Sequence, residues 1–283
     1  MPSATLLGQS LISGILVGGL YALLGLGLSL QWRFLKVIDL SHFALVFLSA
    51  YVSYQLIGVA HAHPLVVLAT VVPGAFLFGV AMQAMFARFK LDEFATVLVT
   101  FGIAVIIEAM IQWFWTADFR KLETHLSTAS WQVGSLFIPI AEALMFLVSM
   151  ALGCATWAWL KYTYIGKALR ASAENPDIAA AFGINHRRLA RILYGSASVT
   201  GAIAGIFVAL VSSLAPSQIF LFLGVVFSAV ILGGLGNPIG LIIASLGIGI
   251  VEALTMAVTA PTWAPLVSFT VLILVLVLRP DKL

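Results

Sequence analysis

Charge is what this sequence has least of. Only 9% of its 283 residues are Asp, Glu, Lys or Arg, against roughly 25% in a soluble domain. So few charges cannot cover a water-facing exterior, and most of the surface must meet lipid. The single cysteine, Cys154, excludes an intrachain disulfide, and its apolar surroundings suit a small core residue. No run of Lys and Arg alternates with aromatics and the net charge is only +3, which gives no case for nucleic acid. No G-x-x-x-x-G-K-[ST] phosphate loop occurs, so any ATP chemistry must come from another polypeptide. Asp39, Glu108 and Glu252 are scattered, and supply none of the paired carboxylates or His/Asp clusters of a membrane-embedded enzyme. His61 and His63 share a short turn before Pro64 without a nearby third ligand, so no metal site is expected.

What is present is apolar sequence in long runs. A bilayer-crossing helix needs roughly 20 such residues. The runs fall at 8–30, 38–60, 65–87, 94–116, 139–160, 192–214, 219–233, 238–258 and 263–279. This predicts an all-α, polytopic membrane protein of eight or nine segments in one domain, 1–283. The run 219–233 is short for a full crossing and is expected to be broken or tilted. Met1 to Gln31 contain no Lys or Arg, and the run Leu6 to Leu30 exceeds the ~7–15 apolar residues of a secretory signal. It reads as a retained first span. Most tryptophans, among them Trp32, Trp113, Trp115, Trp157, Trp159 and Trp263, fall near segment boundaries as interfacial anchors.

Charge placement orients the segments. With the polar loop 161–191 in the cytoplasm, alternation puts Arg33, Lys36, Arg88, Lys90, Lys161, Lys167, Arg170, Arg187, Arg188, Arg191, Arg279 and Lys282 inside. Only Arg120 and Lys121 fall outside, offset by Asp118 and Glu123. An external N-terminus, a cytoplasmic C-terminus and an external loop from Ala117 to Ile138 are therefore expected. Gly14 and Gly18, Gly201 and Gly205, and Gly236 and Gly240 are each four apart, which predicts three helix faces smooth enough for close packing.

The stretch Tyr162 to Arg191 is dense in helix punctuation. Asn175 suits an N-cap with Pro176 at the first helical position and Asp177 at the positive dipole end. Ala179, Ala180 and Ala181 continue the helix, Gly183 suits a left-handed stop, and Asn185 suits a cap for the next helix. The product is one short helix across the inner face, offering Ile178 and Phe182 either to a partner or merely to a spacer.

This loop resembles the cytoplasmic coupling loop of permease subunits in ABC importers of the branched-chain amino-acid (LivH-like) type. The family's pattern is matched by Gly166, Lys167, Ala168, Arg170, Ala171, Ala173, Glu174, Ala179, Gly183, Ile184 and Asn185. The runs GGLYALLGLGLSL, SAVILGGLGNPIGLIIASLGIGIVEAL and LRPDKL resemble the family's opening, penultimate and closing segments, in that order. The resemblance implies that the loop, with Asn175 and Ala180 among its contacts, docks on an ATP-binding subunit. It implies two such subunits carrying ATP and Mg, a second, related permease chain, and an external solute-binding protein, in a bacterial inner membrane. It implies no cofactor on this chain. A self-sufficient secondary transporter, the other reading, would have no use for so elaborate a loop.

Ionisable groups at bilayer depth cost about 2.5–3.5 kcal/mol on insertion scales and should face protein or water. Asp39, Ser41 and His42 lie where the resembling family has an Asn-containing run; His42 matches, while Asp39, Ser41 and Phe43 differ. The resemblance puts them where a segment begins beside the translocation path. An N-cap of the second helix is the plainer reading of Asp39. On the path, its carboxylate would repel a substrate carboxylate unless Arg33, Lys36 or His42 neutralised it. Glu108 with Gln112, and Glu252, suit either a polar path or a buried interhelical hydrogen bond. Glu142 lies close enough to the external boundary to be solvated. Gly233, Gly234 and Gly236, in GGLGNPIG, read as a broken-helix element on the path or as an ordinary turn. Branched-chain amino acids, other amino acids, short amides and small organic acids all fit as cargo.

Overall fold

The computed structural model describes residues 4–259 together with scattered positions between 263 and 277. Among the described residues, eight helical stretches are long and apolar enough to cross a membrane. The chain is a polytopic helical membrane protein. The ninth expected segment, 263–279, lies largely outside the described residues, as do Arg279 and Lys282.

Helix α1 (Ala4–Leu35) is the axle of the bundle. Its 32 residues span about 48 Å, well beyond the ~30 Å hydrocarbon core and beyond the expected 8–30. Leu23, Leu24 and Leu28 in its middle are fully buried. The following helices are α2 (Ser41–Ser53), prolonged by a π-helical stretch Tyr54–Val59, then α3 (Pro64–Phe89) and α4 (Glu93–Trp115). A one-turn α5 (His125–Thr128) and a hairpin of β1 (Ser130–Val133) and β2 (Leu136–Pro139) precede α6 (Ile140–Tyr162). Then come α7 (Tyr164–Glu174), α8 (Pro176–Ala181), α9 (His186–Val211), α10 (Leu223–Gly233) and α11 (Pro238–Val258).

Local chemistry sets these boundaries. Helices α3, α8 and α11 each begin with proline, preceded by a side-chain cap from His63, Asn175 or Asn237. His63 thus caps a helix, and among the described residues no cluster of three metal-ligating side chains occurs. Asp92 caps α4 through the Ala95 N–H at 2.7 Å.

Two glycine pairs work as expected. A side chain at Gly14 or Gly18 would collide with the α11 backbone at Ile250 and Leu246, with 2.7 and 2.8 Å to their Cα atoms. Gly201 and Gly205 bring α9 against His42 and the Val46–Ala50 stretch of α2. The third pair does not share a helix face: Gly236 lies outside α11, in a left-handed conformation (φ +72°) against the Arg33 side chain.

The bundle has two distinct ends. At one, the Gln9 side chain donates to the Phe137 carbonyl (2.8 Å) and accepts from its N–H (3.0 Å), fastening the hairpin to α1. At the other, α7 buries Ala168 and Leu169 among Leu30 and Phe34 of α1, Leu160 of α6, and Leu189 and Leu193 of α9. Hairpin and α7 were both unforeseen in the sequence. Cys154 is a correction: it faces outward from α6 rather than into the core, because Gly153 is the position pressed against Ile242.

Candidate functional site

Asp39, Ser41 and His42 lie inside the helix packing. The Asp39 carboxylate is 2% exposed. It accepts from the Tyr194 hydroxyl (2.6 Å), the Ser41 hydroxyl (2.5 Å) and the Gln31 amide (3.3 Å). These donors come from α9, α2 and α1, so the carboxylate ties three helices together. It does not cap α2: the cap position is Leu40, which makes no side-chain cap. The His42 Nε2–H donates to the Leu24 carbonyl at 3.1 Å. Its ring fills a slot between Gly27 and Gly201, where an added Cβ would stand 2.6 and 2.7 Å from Cε1.

Glu252 is also internal. Its Oε2 accepts from the Tyr21 hydroxyl at 2.8 Å, joining α11 to α1, which matches the interhelical reading. Glu142, in the first turn of α6, is half-buried.

Glu108 and Gln112 behave differently. Their side chains meet at 3.4 Å on the solvent-accessible side of α4. The buried stripe of that helix is Thr96, Thr100, Ala104, Ile107 and Ile111. Glu93, Val97, Phe101, Glu108 and Gln112 recur at helical spacing along an adjoining flank. Phe101 stands 5.9 Å from the Phe220 ring, and Trp32 stands 5.5 Å from Phe227. Phe101 thus lies against the segment before α10, and Glu108 and Gln112 lie further along the same flank of α4. At the α7 end of the bundle is a cavity of about 590 Å³, lined by Trp32, Arg33, Lys36, Ile38, Glu93, Phe94, Val97 and Leu235.

Gly233, Gly234 and Gly236 form the reversal between α10 and α11. Gly233 ends α10, Gly234 and Gly236 take positive φ (+85° and +72°), and Asn237 caps α11 through the Gly240 N–H at 3.1 Å. The Ser29 hydroxyl of α1 accepts from the Gly236 N–H at 3.0 Å. This is a helix-to-helix turn at the α7 end. Helix α10 has 11 residues, about 16 Å, and a 3-10 turn at Pro216–Gln218 precedes it, so the run is broken as expected, although the whole stretch Pro216–Gly233 is one of the eight long enough to cross.

The segment between α6 and α9 is built in two parts. Thr163 caps α7 through the Gly166 N–H (3.1 Å), and Gly166 presses on the Trp159 and Leu160 backbone where no side chain fits. Asn175 then caps α8 through Ile178, Gly183 follows it at φ +81°, and Asn185 caps α9 through Arg188. All three punctuation marks fall where expected. Ala179 is buried; Ala173 and Ile184 are half-buried; Arg170, Glu174, Asn175, Ala180 and Gly183 are exposed. Ile178 and Phe182 are 58% and 83% exposed beside them. The expectation of a single helix missed α7, whose amphipathic pattern was legible in Ile165, Ala168, Leu169 and Ser172. Tyr194 and Tyr21 were missed as the partners of Asp39 and Glu252. Tyr194 does share a helical face with Ser198, Gly201 and Gly205, a small and polar stripe that marks an interior surface.

A family model described as branched-chain amino acid transport system / permease component matches residues 10–276. The high-affinity branched-chain amino acid transport system permease protein LivH of Escherichia coli (strain K12) is 26% identical over 96% of this chain and 93% of its own length. The corresponding protein BraD of Pseudomonas aeruginosa is 22% identical over 96% of this chain and 94% of its own. Among solved structures, a chain of PsaBC from Streptococcus pneumoniae in complex with Fab has a TM-score of 0.50 at 15% identity, covering 98% of this chain and 93% of that one. This last likeness concerns the fold.

Proposed function

The chain belongs to the family of permease components of branched-chain amino acid transport systems, and from that premise we propose that it forms one wall of the path by which branched-chain amino acids enter a bacterial cell. It is a permease subunit of an ABC importer, a transport component rather than an enzyme, and it works with a partner ATPase. The proposed assembly has two ATP-binding subunits carrying ATP and Mg, a second related permease chain and an external solute-binding protein. In the inner membrane, the N-terminus and the hairpin end face outward and the α7 end faces the cytoplasm. This orientation puts Arg33, Lys36, Arg88, Lys90, Lys161 and the basic residues of 167–191 inside.

One observation carries the reading. Helix α8 is capped at both ends, carries Ile178 outward with Phe182 just beyond it, and rests on α7, whose buried face touches α1, α6 and α9. An ATP-binding subunit that grips Arg170, Glu174, Asn175, Ala180 and Gly183 would thus move three membrane helices at once. Gly166, Ala173, Ala179 and Ile184 hold that surface in shape from beneath.

The path runs along the α4 flank past Glu108 and Gln112. A second permease chain closes its open side, since an ionisable group at membrane depth belongs against protein or water. Asp39, Ser41, His42 and Glu252 hold that wall together from within rather than touching cargo, and Gly233, Gly234 and Gly236 shape its cytoplasmic end. An Asp in place of the family's Asn therefore does not argue against an anionic group on the substrate. Purification of the tagged chain from native membranes tests the coupling surface. ATP-binding subunits co-purify with the intact chain and are lost on charge reversal at Glu174 combined with deletion of 176–183. Co-purification that survives this change would move the docking surface elsewhere.

A further inference from the structure

The cavity of about 590 Å³ at the α7 end of the bundle has a composition that an ordinary gap between helices would not need. Arg33 and Lys36 approach it from the end of α1 and the segment after it; Glu93 approaches from the first turn of α4. Among the described residues, none of the three forms an ion pair with another side chain. Between them lie Trp32, Ile38, Phe94, Val97 and Leu235, an apolar lining. Two cations, one carboxylate and an apolar wall are the complement of a zwitterion with a hydrocarbon side chain. An anionic lipid headgroup would be matched by the cations but opposed by Glu93.

Leu235 in the cavity wall belongs to the α10–α11 turn, whose next residues, Gly236, Asn237 and Pro238, line a second cavity with Arg170 of α7. Gly236 rests on the Arg33 side chain, close enough that no Cβ fits between them. α7 itself packs on Leu30 and Phe34 of α1, on either side of Arg33.

We propose that this cavity is the cytoplasmic station of the transported solute, holding the carboxylate of an apolar amino acid at Arg33 and Lys36 and its ammonium at Glu93, and that α7, packed on α1 beside Arg33, is coupled to its closure. The proposal rests on the importer reading above.

The test is equilibrium binding of radiolabelled leucine to the assembled permease–ATPase complex in nanodiscs of phosphatidylethanolamine and phosphatidylglycerol, without ATP or external binding protein. Leucine binds saturably. The double variant R33Q/K36Q and the single variant Glu93→Gln each weaken binding by at least about tenfold, the least that a lost charged hydrogen bond costs. The control Lys90→Gln, at the same end but outside the cavity, leaves binding unchanged. Isocaproate, which lacks the ammonium, and isoamylamine, which lacks the carboxylate, each compete about tenfold more weakly than leucine. ATP-driven leucine uptake is measured on the unaltered complex in proteoliposomes. Uptake together with leucine binding that is absent, or indifferent to the three charges, overturns the station alone. Absence of uptake overturns the importer reading and the station with it. If leucine fails to bind while native mass spectrometry finds phosphatidylglycerol retained by the unaltered complex and lost from R33Q/K36Q, the cavity is a headgroup site and the proposal falls.

Discussion

Asp39 holds its place through three donors and no cation. A buried carboxylate of this kind is stable only while its acceptor sites are filled. Tyr194→Phe removes the shortest bond from another helix and is expected to cost about 1.5–3 kcal/mol, read as a lower thermal unfolding midpoint of the purified complex. Asp39→Asn keeps one acceptor oxygen but points an NH₂ at a donor, so its effect is expected to lie in the same direction. If either change left the midpoint unaltered while abolishing uptake, Asp39 would belong to the path after all. Gly201→Ala tests the neighbouring slot: the new methyl meets the His42 ring, and overpacking of this kind costs about 1–3 kcal/mol. What the sequence could reveal at this scale was the presence of costly groups at membrane depth. Their partners were illegible, because Tyr194 is 155 residues from Asp39 and Tyr21 is 231 from Glu252. Only the packing of α9 and α11 on α1 brings them together.

Helices were legible wherever punctuation was local. Asn175, Pro176, Gly183 and Asn185 act through neighbours three or fewer residues away, and each takes its expected role. The α5–hairpin connection carries local marks too, the Thr124–Ser127 capping box and the left-handed Gly134, but its strands are only four residues each and the hairpin is fastened to α1 by Gln9, which no local signal registers. The pair Gly236 and Gly240 had the spacing of a packing face, but Asn237 and Pro238 begin a new helix between them, which spacing alone does not register. Two predictions belong to this scale. Asn175→Ala removes the α8 cap at a cost of about 1 kcal/mol; ATPase activity stimulated by loaded binding protein should fall while the unfolding midpoint stays near that of the parent. Gly14→Leu together with Gly18→Leu forces α1 from α11, and is expected to lower the unfolding midpoint sharply and reduce the folded yield. A normal yield would mean that the close approach of α1 and α11 contributes little.

For the whole molecule, the division of labour follows from where polar groups lie. Asp39, His42 and Glu252 are interior fastenings, while Glu108 and Gln112 sit on an accessible flank of α4 and Arg33, Lys36 and Glu93 line a cavity at the α7 end. The α7–α8 segment ends in an apolar surface with Ile178 and Phe182 at its centre. The helical membrane architecture was legible in composition alone. The buried side of α4 was not, because that helix carries apolar residues on its buried and its exposed sides alike. Conduction of branched-chain amino acids under the control of ATPases gripping α8, as proposed, can be measured in vesicles. The complex is reconstituted in proteoliposomes with its binding protein, and leucine uptake is measured with ATP, without ATP, and with Ile178 and Phe182 both changed to aspartate. Uptake is expected only with ATP, and is expected to be lost in the double variant although the permease remains folded. ATP-independent uptake, or uptake that survives the double change, would contradict the proposal.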